Sequence, residues 1–161
     1  SIVFGIEPSA DNCERMKTRG IECFQGIVED YEFLRNQEFD IATIVWTLEN
    51  CHSSRNMVNA AYEILGDGGC LVVATGSRIL VPFKKPLQYF FNPKLPQDTH
   101  PFFFSANSLR RLLGSSGFEV IHVNRFVDSD YLVMIGRKSK NIIPRKYQGD
   151  DYRDVLHFFE R

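Results

Sequence analysis

The sequence predicts an α/β fold in which a doubly wound, mainly parallel sheet is closed by an antiparallel hairpin. Apolar runs rich in Ile and Val alternate with helical segments of roughly ten residues, a pattern typical of parallel strands joined by crossover helices. Near the end of the chain, residues 119–126 and 131–137 predict two strands separated by a loop short enough for a hairpin.

The first half of the chain begins with a predicted strand and helix. The apolar run of residues 2–6 predicts a buried strand that ends at Glu7. A helix is predicted over residues 9–19, with Ser9 as its N-cap and Gly20 just beyond its last turn. Two further strands are predicted at residues 21–24 and 39–47.

The second half continues the alternation. Ser53 is the predicted N-cap of a helix that reaches residue 65, and Ser105 is the N-cap of another that ends at Gly117. The glycine-rich residues 66–69 predict a turn before a strand at residues 70–75. A last helix is predicted over residues 150–161 from its apolar stripe.

These elements predict one main domain and a short C-terminal extension. Residues 79–104 hold five of the seven prolines and seven aromatic residues, which predicts an insertion folded over the sheet edge. We therefore expect a main domain at residues 1–139, with the insertion at 79–104, followed by a linker and an amphipathic helix at 140–161.

Composition narrows the function classes. The net charge of -1, from interspersed acidic and basic residues, gives no electrostatic footprint for nucleic acid, so no nucleic-acid partner is expected. No apolar run approaches the roughly 20 residues of a membrane span. The four cysteines lie far apart and form no metal-ligand pattern, which predicts no metal site, reduced thiols and a cytoplasmic location.

Glu7 is the first candidate for ligand binding. In open α/β sheets, ligands bind beyond the carboxyl ends of the strands, and an acidic side chain there can accept hydrogen bonds from ribose hydroxyls. A solvated charge or a favourable charge at the start of the next helix is the structural alternative.

Five short segments, the first of which contains Glu7, follow one another in a specific order and spacing. They are GIEPS at residues 5–9, GIVED at 26–30, WTLEN at 46–50, LGDGG at 65–69 and HPFFFS at 100–105. Over residues 3–137 the chain resembles class I S-adenosylmethionine-dependent methyltransferases. The resemblance implies a Rossmann-like fold and S-adenosyl-L-methionine as cofactor.

The resemblance also implies which residues bind the cofactor. Glu7, Pro8 and Ser9 match the segment that binds the ribose. Ile27, Val28 and Glu29 match the loop that covers the adenine, with Ile27 where many members have an aspartate. Thr47 and Leu48 match the cofactor-facing end of the fourth strand of the family, where Asn50 replaces the usual histidine.

One part of the family pattern is missing from these 161 residues. The first strand and the glycine-rich loop that approaches the methionine portion of the cofactor have no counterpart. We therefore expect the domain to be N-terminally incomplete, with the missing strand and loop supplied by upstream sequence.

The implied reaction is displacement at the sulfonium methyl group by a nucleophile of the acceptor. His100 is the predicted general base, because histidine titrates near neutral pH, and His52 is the second candidate. The structural alternatives are a hydrogen bond to a loop backbone for His100 and helix capping for His52.

The predicted function is methyl transfer to a small-molecule acceptor, for example a sugar or a lipid-like molecule, and a homodimer is one assembly that we consider. A catalytically inactive, methyltransferase-like binding module is the first alternative. A nicotinamide-binding oxidoreductase or epimerase is the second, although the sequence has no YxxxK motif to support it.

Overall fold

The computed structural model describes residues 2–28, 30, 37–76, 100–124, 131–140 and 149–160, with side chains through His157 in the last range. The chain divides into two compact units, Ser1–Gln37 and Glu38–Arg161. Each unit carries its own sheet: β1 and β2 pair in the first, and the order in the second is β3-β4-β6-β5.

The first unit is a strand, helix and strand joined as a crossover. The elements are β1 (Phe4–Glu7), α1 (Ala10–Thr18) and β2 (Glu22–Gln25), and the two strands are parallel. The predicted caps of the helix are confirmed: the Ser9 side chain accepts a hydrogen bond from the Asn12 N–H, and Gly20 adopts a φ of 77°. A positive φ is the conformation that favours glycine after a helix.

Sulfur-containing side chains fill the space between α1 and its two strands. Cys13 and Cys23 are buried, and the Cys13 thiol donates to the Cys23 carbonyl at 3.5 Å. A Cβ on Gly5 would lie 2.1 Å from the Met16 methyl carbon, so a larger residue there would require the Met16 side chain to move. Burial, together with a side-chain hydrogen bond to Cys13, raises the pKa of the Cys23 thiol to about 11.

The second unit contains a mixed sheet of four strands. They are β3 (Phe39–Val45), β4 (Leu65–Thr75), β5 (Phe118–Val123) and β6 (Leu132–Lys138). β3 and β4 are parallel, whereas β6 runs antiparallel to both β4 and β5. The predicted closing hairpin is therefore confirmed, and its loop lies outside the described residues.

Two helices pack on the second sheet. They are α2 (Ser54–Ile64) and α3 (Ala106–Ser115), which contact β4 and the β5–β6 pair respectively. Ser53 and Ser105 are their N-caps, as predicted. On β4 and β6 the buried side chains alternate: the face that includes Leu71, Val73, Leu132 and Met134 is fully buried, while the opposite face is half-buried.

The glycine-rich residues 66–69 correct one prediction. They do not form a turn before the strand, because β4 begins at Leu65 directly after α2. The register moves from Phe39↔Leu65 to Ile41↔Cys70, so these residues form a bulge within the strand pair. A Cβ on Gly69 would lie 3.1 Å from the Phe39 carbonyl oxygen, which explains why the bulge is built from glycine.

The C-terminal extension contains the predicted helix, α4 (Tyr152–Glu160). The Asp150 carboxylate just before it accepts hydrogen bonds from the Ser105 hydroxyl and, at 2.9 Å, from the Asn107 side-chain amide. It thereby places a negative charge at the N-terminus of α3, where the helix dipole favours one.

Some predictions fall on undescribed parts of the chain. Of the predicted insertion at 79–104, only residues 100–104 are described, and most of the predicted linker lies outside the description. The boundary between residues 1–139 and 140–161 therefore stays a prediction.

All four cysteines lie in the described ranges, and none of them forms a disulfide. No helix in the described ranges is both long and apolar enough to cross a membrane.

Candidate functional site

In the first unit the candidate site lies at the carboxyl end of β1. Glu7 ends this strand and is half-buried. Its Oε1 accepts a hydrogen bond from the Ser9 N–H at 2.8 Å. Within the described residues this is the single hydrogen bond to the carboxylate, so Oε2 keeps its capacity to accept.

The segment after β2 lies at the same end of the two-stranded sheet. The Gly26 N–H donates to the Glu7 carbonyl oxygen at 3.1 Å, which holds this segment beside the end of β1. Ile27 follows with 43% of its surface exposed, and Val28 is half-buried. The structure therefore brings Glu7 together with two apolar residues of the predicted adenine loop, while Glu29 lies outside the description.

The two remaining residues of the predicted ribose segment are exposed. Pro8 separates Glu7 from the helix, and Ser9 uses its hydroxyl oxygen to accept from the Asn12 N–H at 3.4 Å. Ser9 therefore caps α1, and its backbone N–H orients the Glu7 carboxylate. This arrangement supports an indirect role for Ser9, in which it positions Glu7.

In the second unit the candidate site lies where β3 and β4 end. Trp46, the first residue after β3, has a φ of 49° and is the one described non-glycine residue with a positive φ. Left-handed backbone costs a residue with a side chain about 1–2 kcal/mol. Two hydrogen bonds hold it there, from its N–H to the Ala74 carbonyl at 2.8 Å and from the Asn50 side chain to its carbonyl at 3.3 Å.

The residues predicted to face the cofactor follow Trp46. Thr47 is exposed, and its hydroxyl donates to the Val45 carbonyl at 2.9 Å. Leu48 is fully buried and belongs to the core, so its side chain presents no surface to a ligand. Any contact between residue 48 and the cofactor would have to come from its backbone.

Glu49 is a functional candidate that the sequence did not single out. It is 1% exposed, and its Oε1 accepts from the Gly76 N–H at 3.2 Å, just beyond the end of β4. Its Oε2 is buried and has no hydrogen-bond partner among the described residues. A buried polar atom without a partner costs about 1–3 kcal/mol, and such atoms are uncommon in native structures.

The predicted catalytic histidines occupy different environments. His100 is half-buried and begins the segment before α3, and the N–H of Phe102 in that segment donates to the Glu49 carbonyl at 3.3 Å. His52 is exposed beside Ser53, which caps α2 in its place. The structure therefore brings the His100 segment to the end of β3.

Sequence reasoning missed Trp46, Glu49 and Gly76. A Cβ on Gly76 would lie 2.9 Å from the Trp46 Nε1, so this glycine leaves room for the indole. A single sequence gives no sign of a positive φ at a tryptophan. The position of Glu49 in the WTLEN segment was the available signal, because a carboxylate just past a buried strand is a candidate for the ligand edge.

Comparison with known proteins identifies the family. Residues 2–123 match the model of a family described as "Methyltransferase domain". The chain belongs to this family. The match covers well over half of the chain, and it includes the candidate residues at the ends of β1 and β3. Among curated protein sequences, no match is found.

Solved structures share the fold. A S-adenosylmethionine-dependent methyltransferase from Thermotoga maritima, described as a possible histamine N-methyltransferase, is 25% identical with a TM-score of 0.68, over 86% of this chain and 73% of that one. The magnesium protoporphyrin IX methyltransferase ChlM of Synechocystis, with bound S-adenosylhomocysteine, is 11% identical with a TM-score of 0.62, over 86% and 65%. The [4+2]-cyclase SpnF is 13% identical with a TM-score of 0.66, over 85% and 66%.

These findings confirm the Rossmann-like methyltransferase fold and S-adenosylmethionine as the cofactor expected from the sequence. The residues at the end of β1 fit the nucleoside part of that cofactor. Ribose hydroxyls need acceptors, and the Glu7 Oε2 is one; an adenine needs an apolar surface, and the exposed Ile27 side chain is one. The described residues contain no cluster of three metal-ligating side chains, so nothing in them contradicts the prediction of no metal.

Proposed function

We propose that the protein transfers the methyl group of S-adenosylmethionine to a small-molecule acceptor. The observation that carries the proposal is the Glu7 carboxylate at the end of β1, which has one oxygen fixed by the Ser9 N–H and the other able to accept. Membership of a methyltransferase-domain family supports a ribose as the ligand of that carboxylate. The family membership extends the proposal to the reaction.

In this proposal the first unit binds the nucleoside. The Glu7 Oε2 accepts from the ribose hydroxyls, Ser9 keeps the carboxylate oriented, and Ile27 and Val28 cover the adenine. Ile27 has no polar atom in its side chain, so any hydrogen bond to the adenine edge comes from backbone. The Asp30 N–H donates to the Ile27 carbonyl at 3.1 Å, so this carbonyl already accepts one hydrogen bond within the loop.

The second unit presents the acceptor. When bound, S-adenosylmethionine supplies an electrophilic methyl group, so the protein contributes alignment, exclusion of water and a base where the nucleophile must lose a proton. His100 takes that proton in the proposal, and His52 is the second candidate. Support for His100 comes from its segment, which the Phe102 N–H ties to Glu49 at the end of β3.

The acceptor and the cellular setting are part of the proposal. A small molecule agrees with the balanced charge of the chain, which favours no nucleic acid. A sugar or a lipid-like acceptor, a homodimer and a cytoplasmic location stay predictions. The Thermotoga relative is described as a possible histamine N-methyltransferase. Amines are therefore among the acceptor classes to be tested.

A catalytically inactive, methyltransferase-like binding module stays the alternative function. The fold also occurs in SpnF, described as a [4+2]-cyclase, so fold alone does not establish methyl transfer. No feature of the described residues favours a nicotinamide-dependent enzyme over these two functions.

The test combines binding and turnover on the full chain. Calorimetry with S-adenosylhomocysteine measures cofactor binding, and methyl-labelled S-adenosylmethionine with amine, sugar and lipid acceptors measures transfer. The proposal expects saturable binding and a labelled product with one acceptor class. Binding without any labelled product would favour the binding module, and absence of binding would contradict both functions.

A further inference from the structure

Two exposed aromatic rings stand together at the end of the second sheet. Trp46 follows β3 and Tyr131 precedes β6, and their ring centroids lie 5.6 Å apart at an interplanar angle of 78°. Trp46 is 56% exposed and Tyr131 is 52% exposed. We name these two residues the aromatic pair. Aromatic rings prefer such an edge-to-face arrangement, and both side chains keep exposed surface in it.

The backbone holds the aromatic pair in place. The positive φ of Trp46 directs its side chain at the strand end, and the two hydrogen bonds to Ala74 and Asn50 maintain that conformation. Strained residues that persist in this way cluster at ligand-binding and catalytic sites. The strain therefore indicates that the position of the indole is used.

Gly76 lies between the two rings at the end of β4. A Cβ there would lie 2.9 Å from the Trp46 Nε1 and 3.8 Å from the Tyr131 Cε1. Its N–H is taken by the buried Glu49 carboxylate. The absence of a side chain at Gly76 therefore keeps the aromatic pair open, and Glu49 fixes the backbone beneath it.

Among the described residues at this end of the sheet, charged side chains do not favour an anion. Residues 44–53, 74–76 and 131–133 contain no lysine or arginine, and their one carboxylate is Glu49. Aromatic ring faces carry negative electrostatic potential, which attracts ammonium groups, most strongly at tryptophan. An anionic acceptor would find no positive partner among these residues.

We propose that the aromatic pair binds a positively charged nitrogen of the acceptor, so that the acceptor class is an ammonium-bearing small molecule. This inference rests on the proposed function, because it names the chemical class of the acceptor proposed there. The cationic group serves as a recognition element, and Trp46 and Tyr131 determine specificity.

Trp46 is the sole tryptophan of the chain, so its fluorescence reports directly on the aromatic pair. The experiment titrates the full chain, saturated with S-adenosylhomocysteine, with choline and with its uncharged isostere 3,3-dimethylbutanol. We expect saturable quenching by choline at a concentration at least fivefold lower than for the isostere. Tyr131→Leu should weaken choline binding about two- to fivefold, whereas Tyr131→Phe should preserve it because the ring remains.

The control variant is Tyr152→Leu, which removes an exposed tyrosine of α4 and should leave choline binding unchanged. Equal affinity for the two probes, or no saturable quenching, would overturn the inference. If S-adenosylhomocysteine binds while choline selectivity is absent, the inference fails and the proposed function stands. If choline selectivity is present without S-adenosylhomocysteine binding, the aromatic pair is supported as a cation site and the proposed function fails.

Discussion

The ends of β1 and β3 both present a carboxylate within a few residues, but they hold it differently. Glu7 is half-buried, with one oxygen bonded to the Ser9 N–H and the other able to meet solvent or a ligand. Glu49 is buried, with one oxygen bonded to the Gly76 N–H and the other without a partner. The first arrangement costs the fold little, whereas the second costs stability.

The same contrast holds for the buried polar groups of the two units. In the first unit, the Cys13 and Cys23 thiols each donate a hydrogen bond to a backbone carbonyl, and burial raises the pKa of the Cys23 thiol. In the second unit, Glu49 and the left-handed Trp46 are both unfavourable locally. Locally unfavourable features of this kind are more frequent at functional sites, which supports the proposal that the end of β3 takes part in acceptor chemistry.

The largest effect is expected from His100. If this histidine is the base, His100→Gln should lower turnover about 10²- to 10⁴-fold and leave cofactor affinity nearly unchanged. Steady-state kinetics with the identified acceptor measures the first quantity, and calorimetry measures the second. His122→Gln, an exposed histidine of β5, is the matched control. Turnover of the His100 variant within about threefold of the control would assign His100 a structural role.

The reactivity of Cys23 tests the burial of its thiol in the first unit. Its pKa of about 11, against an ordinary 9.0, predicts roughly 100-fold less thiolate near pH 8 and correspondingly slow alkylation by iodoacetamide. Mass spectrometry of the labelled peptides measures each cysteine separately, and the half-buried Cys70 is the internal comparison. Equal labelling rates for both cysteines would contradict the prediction.

The same shift makes stability depend on pH. The folded chain holds the Cys23 proton more tightly than the unfolded chain, so the contribution is present below about pH 9 and is lost as the pH rises to about 11. Denaturant unfolding of Cys23→Ala should show a flatter profile over this range than the unchanged chain.

Glu49 tests the hydrogen bond that holds Gly76 at the end of β4. Glu49→Gln keeps an oxygen for the Gly76 N–H, whereas Glu49→Ala leaves this half-buried N–H without its acceptor and should be about 1–3 kcal/mol less stable than Glu49→Gln. Both variants remove the unpartnered carboxylate oxygen, so their difference reports the hydrogen bond. The control pair is Glu119→Gln and Glu119→Ala on the exposed side of β5, expected to differ by less than about 0.5 kcal/mol. Chemical denaturation measures both differences, and equal differences in the two pairs would contradict a role for Glu49 in holding Gly76.

Trp46→Gly is expected to give the smallest change in the free energy of unfolding. Trp46→Gly relieves the left-handed strain but loses the contact with Tyr131, terms of about 1–2 and 0.5–1.5 kcal/mol that nearly cancel. Trp46→Val keeps the strain with a β-branched residue and should be the less stable variant. Chemical denaturation compares the two, and a valine variant at least as stable as the glycine variant would contradict the assignment of strain.

The difference between the two regions also explains what the sequence could predict. Ser9, Ser53 and Ser105 were recognised as N-caps because capping depends on residue type and immediate neighbours. Glu7 was recognised as the last residue of the first strand because it ends an apolar run. Residues 66–69 were assigned to a turn because glycines usually mark one, whereas pairing with β3 makes them a bulge.

The second region depends on contacts between distant parts of the chain. Gly76, which follows Glu49 by 27 positions, fixes the Glu49 carboxylate, and Ala74 holds the Trp46 backbone. Neither local propensity nor hydrophobic period encodes such contacts. Burial of the Leu48 side chain likewise follows from tertiary packing. The sequence alone, which groups Leu48 with the predicted cofactor-facing residues, does not encode it.

The central claim is that the end of β1 holds the cofactor through Glu7, and calorimetry with S-adenosylhomocysteine tests it most directly. The comparison uses the full chain, Glu7→Ala and Glu14→Ala, the last removing an exposed glutamate of α1. The account predicts that Glu7→Ala weakens binding by about 1.5–3 kcal/mol, the scale of hydrogen bonds to a charged group, while Glu14→Ala leaves it unchanged. The same dissociation constant in all three proteins would contradict the account.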